Sequence, residues 1–206
     1  MKSLIITSLM LTVSLAGCIY YTPAKQPQDY FYLNQNKNIS NIGKVALLEL
    51  ENQTNQPRIS QKITNAMFQA LQKKQAFSLK TITRQSSNFQ SLQLNKDDYS
   101  LKKLLAIKDK LNCNAVLFGS VTEYTPYPHM TVGLKLKLLD LNDGQLIWAC
   151  EQIWDAADKS TEKRIEKYFC ENIRSDLTPL HEELMAVSPI EFIKFVTYEV
   201  AQTLKN

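Results

Sequence analysis

The 206-residue sequence has few of the residues on which common enzyme sites depend. It contains 5 glycines and 2 histidines, and none of the motifs GxGxxG, GxxxxGK, HExxH or CxxC occurs. Without a glycine-rich loop the chain has no phosphate cradle of the usual kind. Neither His129 nor His181 has a partner at the spacing of a metal site. The sequence therefore predicts no catalytic residue, no metal and no cofactor, and we interpret the protein as a non-enzyme.

The sequence also lacks a long apolar run and a strong excess of charge. The apolar stretch at 4–15 is shorter than the about 20 residues that cross a bilayer, so no transmembrane helix is predicted. A net charge of +4 is too small to indicate nucleic-acid binding. The apolar content of 44% and the length are typical of one ordinary globular domain.

Residues 1–17 have the three parts of a secretory signal peptide: a positive charge, an apolar stretch and a small pair of residues. A cysteine follows directly, and Leu15-Ala16-Gly17-Cys18 resembles the lipobox of bacterial lipoproteins. The resemblance implies diacylglyceryl transfer to the Cys18 thiol, cleavage before Cys18 and acylation of the new amine. The alternative is an ordinary signal peptide with an incidental cysteine.

Acylation of Cys18 would anchor the protein to a membrane, because each buried methylene contributes about 0.8 kcal/mol. Ile19 follows Cys18, whereas lipoproteins kept at the inner membrane commonly have Asp there. The resemblance therefore implies a lipid anchor in the outer membrane of a Gram-negative cell, with the domain at the periplasmic face.

Three further cysteines, Cys113, Cys150 and Cys170, follow in the exported part of the chain. The periplasm is oxidising, so one disulfide can form. We expect it between Cys150 and Cys170, where it would link a strand to the helical region after it. The alternative is three small buried thiols.

Residues 18–42 are predicted to form the lipidated N-terminus and an extended tether, because prolines and many Asn and Gln residues interrupt any regular period. The aromatic residues of this segment are unusual for a spacer. They can lie at the lipid headgroups, dock on a neighbour or pack on the protein's own domain. These residues are Tyr20, Tyr21, Tyr30, Phe31 and Tyr32.

The folded domain is predicted over 43–206, with short apolar or alternating runs as strands and apolar residues at helical spacing as helices. The predicted order is a strand at 43–50, a helix at 58–75, a strand at 77–84, a helix at 97–112, strands at 113–124, 131–141 and 145–155, and helices at 157–177 and from Ser188. The first half predicts parallel pairing, and the consecutive strands predict an antiparallel extension. We therefore expect an α/β (α+β) fold: a single mixed sheet of about five strands with helices packed on it.

Two groups of aromatic residues are candidates for contact with a partner. Tyr124, Tyr127 and Met130 flank prolines in a loop, and aromatic side chains on a stiffened loop make good anchors. The alternative is a plain hairpin connection. Trp148 and Trp154 share one face of a strand by the two-residue period, as either a core or an interface stripe.

Three stretches resemble a known group of envelope lipoproteins. They are NAVLFGSVTEY, VGLKLKLLDLNDGQLIWA and SPIEFIKFVTYEV, with Gly119-Ser120-Val121 and the spaced residues Asp140, Gly144 and Trp148. They are similar to lipoproteins with the fold of the TolB N-terminal domain, the curli secretion lipoprotein CsgG and the penicillin-binding-protein activator LpoB. The resemblance covers most of residues 43–206.

The resemblance implies a non-enzymatic binding or scaffolding component of a cell-envelope assembly, either a secretion apparatus or a cell-wall synthase complex. Envelope proteins are the expected partners, nucleic acid is not, and a homo-oligomer is compatible with this group. The alternative function is a CsgG-like oligomeric export channel of the outer membrane. In that case the alternating strands at 131–154 would form one of its membrane hairpins. We expect instead that helices cover the apolar face of these strands.

Overall fold

A computed structural model describes residues 30–86, 101–172 and 188–204, with the side chains of 101–103 left out. The strands are β1 (Phe31–Leu33), β2 (Lys44–Leu48), β3 (Glu51–Asn52), β4 (Ser78–Ile82), β5 (Ala115–Thr125), β6 (Thr131–Asp140) and β7 (Leu146–Asp155). The helices are α1 (Ile59–Lys74), α2 (Leu101–Leu111), α3 (Lys159–Asn172) and α4 (Pro189–Thr203), with a 3-10 turn at Ile39–Asn41. The predicted signal peptide and Cys18 lie outside the described residues.

The seven strands form one mixed sheet in the order β1-β7-β6-β5-β2-β4, and β3 pairs with β5. β2 runs parallel to β4 and β5, whereas β5, β6 and β7 form an antiparallel meander. The predicted mixed sheet with helices packed on it is confirmed. The expected number of about five strands was too low, because β1 and β3 are too short to show an alternating pattern.

The N-terminal segment joins the sheet instead of forming a tether as far as residue 42. Phe31 pairs with Cys150 and Leu33 with Trp148, so β1 covers the edge of β7. Tyr30 is buried, and the backbone N–H of Asn34 donates to the carbonyl of Ile147 over 2.8 Å. An edge strand leaves unpaired backbone groups that a short neighbour can satisfy. The folded unit therefore begins at least as early as Tyr30, not at 43.

Helices cover the two faces of the sheet unequally. α1 and α4 pack together over one face, where they enclose the larger core with Val45, Leu47 and Leu117. On the opposite face, α2 buries Leu104, Ile107 and Leu111 against alternate residues of the sheet, including Ala46, Leu48 and Val116. β2 is therefore buried on both faces, as parallel strands between helical layers are.

The apolar side chains of the 131–154 hairpin belong to the larger core. Val132, Leu134, Leu136 and Leu138 of β6 are at most 1% exposed and pack with residues of α1 and α4. This agrees with the expectation that helices cover this face. Within the described part of the chain, no helix combines the length and apolar character needed to cross a membrane.

The start of α4 follows its predicted signals. Ser188 has an extended backbone at the N-cap, Pro189 follows at the first helical position, and Glu191 lies in the first turn. The Ser188 side chain makes no capping hydrogen bond. Its carbonyl accepts from the N–H of Phe192 over 3.0 Å, which starts the helical ladder. The fixed φ of proline therefore supports this start without the side-chain cap.

Candidate partner-binding surface

The structure separates the three contact residues predicted for the 124–130 loop. Tyr127 is 64% exposed beside Pro128, with which it forms a cis peptide bond. Met130 is 8% exposed and belongs to the larger core, and Tyr124 is half-buried against the same core. Met130 is therefore not available as an exposed anchor, because it closes the end of the core. Of the three, Tyr127 offers a free aromatic face.

The other predicted site residues are also apart from one another. Cys150 is 2% exposed on β7, and Cys170 is exposed on α3; both are free thiols, and no bridge joins them in the structure. Burial raises the pKa of Cys150 to about 12. His129 is exposed in the hairpin loop, and His181 lies outside the described residues.

Trp148 and Trp154 are core residues, as one of the two alternatives predicted. Both are at most 1% exposed. Each indole N–H donates to a residue of α4: Trp148 to Thr203 over 3.0 Å and Trp154 to Glu199 over 2.7 Å. Buried indoles usually find such a partner. The side of the sheet that bears the tryptophans is therefore closed by α4, and the opposite side is the one to examine for contact.

The alternate residues of β7, β6 and β5 form an accessible surface on that opposite side. Strand register places Tyr32, Ala149, Lys137 and Phe118 in one row across the sheet. A second row contains Glu151, Lys135 and Ser120, and Ile153 lies two residues beyond Glu151 on β7. We call the surface made by Tyr32, Phe118, Lys135, Lys137, Ala149, Glu151 and Ile153 the open sheet face.

The open sheet face combines apolar and charged side chains. Tyr32 is 50% exposed and Ile153 54% exposed, which makes them two of the most exposed large apolar residues described. Between them, Lys135 forms an ion pair of 3.0 Å with Glu151. An exposed pair like this contributes at most about 1 kcal/mol to stability. Exposed apolar side chains next to charged ones make this surface a candidate for protein–protein contact.

A buried polar network that the sequence analysis missed fixes α3 and α4 to β7. Arg164 Nε donates to Glu199 Oε1 over 2.9 Å, and both side chains are buried. One feature of the sequence points to this network: Glu199 lies between Val196 and Val200 on the apolar face of α4. A charge at such a position needs a partner, which the sequence does not identify.

Tyr30 lies next to this network. Its ring centroid is 6.1 Å from that of Trp154 in an edge-to-face arrangement, and its hydroxyl has no hydrogen-bond partner among the described residues. Burial, followed by the negative charge of Glu199, raises the pKa of Tyr30, so the hydroxyl stays neutral. The N-terminal segment is thus held by its aromatic ring and by the backbone of β1.

A protein-family model described as the peptidoglycan-synthase activator LpoB matches residues 29–153. The match spans more than half of the chain. The chain belongs to the LpoB family. The matched residues contain β1 to β6 and β7 as far as Ile153, so the open sheet face lies entirely within the part that this chain shares with the LpoB family, whereas α3 and α4 follow it.

Several solved structures are similar to this chain. A PelC dodecamer from Paraburkholderia phytofirmans is 14% identical, with a TM-score of 0.50, over 80% of this chain and 90% of that one. The LpoB C-terminal domain from Salmonella enterica is 23% identical, with a TM-score of 0.38, over 54% of this chain and 82% of that one. Lipoprotein GNA1162 from Neisseria meningitidis is 14% identical, with a TM-score of 0.43, over 66% of this chain and 99% of that one. No curated protein matches the chain. At these identities the likeness to PelC establishes the fold alone.

Proposed function

We propose that this protein is a lipid-anchored, non-enzymatic activator that stimulates a peptidoglycan synthase by binding it at the periplasmic face of the outer membrane. The observation that carries the proposal is the match of residues 29–153 to the peptidoglycan-synthase activator family. An activator of this kind needs a contact surface and no reacting groups of its own. The described residues contain no group of three or more metal-ligating side chains.

The open sheet face is the surface we assign to the synthase. It is built from residues of β1, β5, β6 and β7, and each of the residues that form it lies within the matched residues. Tyr32 and Ile153 provide exposed apolar area, and Lys135, Lys137 and Glu151 provide charges that set orientation and specificity. Aromatic and aliphatic anchors with a polar surround carry most of the binding energy in such contacts.

The proposed anchor limits where the synthase can be bound. If Cys18 carries the acyl chains, residues 19–29 separate the membrane from Tyr30, where the described domain begins. Even a fully extended chain of that length reaches only about 40 Å. The domain therefore stays near the outer membrane, and the synthase has to present its binding surface within that distance.

The test combines an activity assay with a matched pair of variants. Crosslinking in the same envelope identifies the synthase. The full chain is then added to the uncrosslinked synthase, and the rate of glycan polymerisation is measured. Ile153→Asp is expected to lower the affinity about tenfold or more, because it places a carboxylate in the proposed contact. Ile190→Asp is the control, since Ile190 is 58% exposed but lies on α4, away from this face.

Each outcome has a distinct meaning. Loss of activation with Ile153→Asp and full activation with Ile190→Asp supports both the function and the surface. Full activation with both variants would show that the open sheet face is not the contact. No stimulation by the unmodified chain would reject the function. A Cys18→Ser variant that remains in the outer membrane would reject the anchor.

A ring-forming envelope protein is the second candidate function. The observation that favours it is the shared fold with PelC, which assembles as a dodecamer. This role requires a homo-oligomer, so the mass of the full chain in detergent decides it. A monomer at micromolar concentration would count against a ring, and a uniform large assembly would support it.

A further inference from the structure

A groove with a volume of about 470 Å³ lies between α1 and α4, with part of its wall supplied by α3. Small side chains create the space: Ala66 and Ala70 come from α1, and Ala201 comes from α4. Tyr168 of α3 contributes to the wall. The volume is within the range of about 300–1,000 Å³ that is common for ligand sites.

Positive charge dominates the groove. Lys73 and Lys74 reach it from the last turn of α1, and Lys194 reaches it from α4. Among the described residues that line it, Glu191 is the single acid, and its carboxylate is already 2.6 Å from Lys194 Nζ. Three lysines and one glutamate give the described lining residues a net positive charge. A cleft with one sign of charge concentrates ligands of the opposite sign.

The remaining polar groups suit a peptide chain. Gln69, Asn172 and Gln202 line the groove, and each side-chain amide has both a donor and an acceptor. A peptide backbone offers the same pair of groups in each repeat. The rings of Tyr168 and Tyr198, with centroids 4.8 Å apart, form an aromatic wall next to these amides. Asn172 Nδ2 donates to the carbonyl of Tyr168 over 3.0 Å and Lys74 Nζ donates to Gln202 Oε1 over 3.4 Å, so these two amides offer a ligand their other ends, Asn172 Oδ1 and Gln202 Nε2. Ammonium, amide and aromatic groups therefore lie together along the groove.

We propose that this groove binds an acidic peptide segment of a partner protein, with the lysines on its carboxylates and the amides on its backbone. The site goes beyond the proposed activation. It combines α1 with α3 and α4, of which α3 and α4 follow the family-matched residues 29–153, and it includes no residue of the open sheet face. A partner can therefore occupy the groove independently of the synthase.

The experiment measures fluorescence anisotropy of a labelled hexaglutamate peptide with the full chain in detergent at low salt. Binding is expected to weaken as salt rises, because exposed charges are screened. The double variant Lys73→Glu/Lys194→Glu is expected to lower the affinity about tenfold or more, since each lysine offers a charge-assisted hydrogen bond. Both lysines are exposed, so circular dichroism is expected to show an unchanged fold.

The matched control is Lys62→Glu/Lys163→Glu, which makes the same change in net charge at exposed sites outside the groove. It is expected to retain binding, and hexaglutamine is expected not to compete. An equal loss in both double variants would show unspecific attraction and overturn the proposal. Stronger binding of polyphosphate than of hexaglutamate would identify a phosphate site and would also overturn it. A failure of hexaglutamate to bind the unmodified chain at low salt would also overturn the proposal.

Discussion

Arg164 and Glu199 form an ion pair inside the protein. The guanidinium Nε donates to the carboxylate over 2.9 Å, and the side chains are 7% and 4% exposed. Arg164 also donates to the hydroxyls of Ser160 and Thr161, and Trp154 donates to the second carboxylate oxygen. The pair therefore joins α3, α4 and β7 with most of its hydrogen-bonding capacity used.

Removing the guanidinium is predicted to destabilise the domain strongly. Arg164→Met leaves the Glu199 carboxylate buried with its main charge partner missing. Breaking one side of a buried pair costs about 3–5 kcal/mol, because the remaining charge stays desolvated. Urea unfolding followed by circular dichroism measures the loss in the free energy of unfolding.

Two further variants separate the charge effect from packing. Lys167→Met on the same helix removes an exposed ion pair of 3.7 Å with Glu171 and is expected to change stability little. Arg164→Met/Glu199→Gln is expected to recover part of the loss, because no ionised group then remains buried. A single Arg164→Met variant as stable as the unmodified protein would show that the pair is unimportant.

Gly119 is predicted to be intolerant of a side chain. A Cβ placed there would lie 2.0 Å from the carbonyl oxygen of Lys135 on the neighbouring strand. Since the obstacle is backbone, β5 and β6 would have to move apart, and overpacking of this kind costs about 1–3 kcal/mol or more. Gly119→Ala is expected to unfold at lower urea than the exposed control Thr122→Ala on the same strand. Equal midpoints would contradict the close approach of the two strands.

The cysteines are predicted to differ sharply in reactivity. Cys170 is exposed and is expected to react with a thiol reagent in the folded protein near pH 8. Cys150 is expected to react only after unfolding, because burial blocks access and raises its pKa to about 12. Cys113 is also buried and should behave like Cys150. The intact mass of the treated protein under non-reducing conditions, with and without urea, gives the number of cysteines that have reacted. A mass two hydrogens lower, with Cys170 unreactive, would show instead the bridge expected from the sequence.

The ion pairs of Lys37 with Asp140 and Asp143 predict a pH dependence of stability. Hydrogen bonding from Lys37 lowers the pKa of Asp143 below its ordinary 3.8, so this contribution is present above that pH and is lost as the pH falls through the folded value. Hydrogen bonding to Asp140 and Asp143 raises the pKa of Lys37 above 10.5, so the Lys37 contribution is lost only at higher pH. Between these limits, Lys37→Met is expected to lower stability by about 0.2–1 kcal/mol per pair.

Urea unfolding from pH 7 down to about pH 2 tests this dependence. The difference between the unmodified protein and Lys37→Met is expected to shrink at the acid end. The control Lys62→Met, at an exposed position on α1, is expected to show a small difference at every pH. A Lys37→Met difference that is constant across the range would rule out the ion pairs as its cause.

Much of the fold was predictable because its signals are local. The alternation in β6, the helical spacing in α1 and the Ser188-Pro189 start of α4 depend on residues a few positions apart. The missed strands have no such signal. β1 is three residues long in a segment rich in Asn and Gln, and it forms by pairing with β7 far along the chain. The predicted anchor Met130 failed for a related reason, since a residue in a loop is exposed or buried according to what lies beneath it.

The sequence by itself determined the order of the elements and the mixed sheet, because the spacing of apolar side chains specifies helix or strand locally. The tertiary structure alone decided which sheet face α4 covers, that Glu199 meets Arg164, and that Tyr32 and Ile153 remain exposed on one surface. These outcomes depend on contacts between distant parts of the chain. The free energy of burying a charge or an aromatic ring is set by those neighbours, not by the adjacent residues.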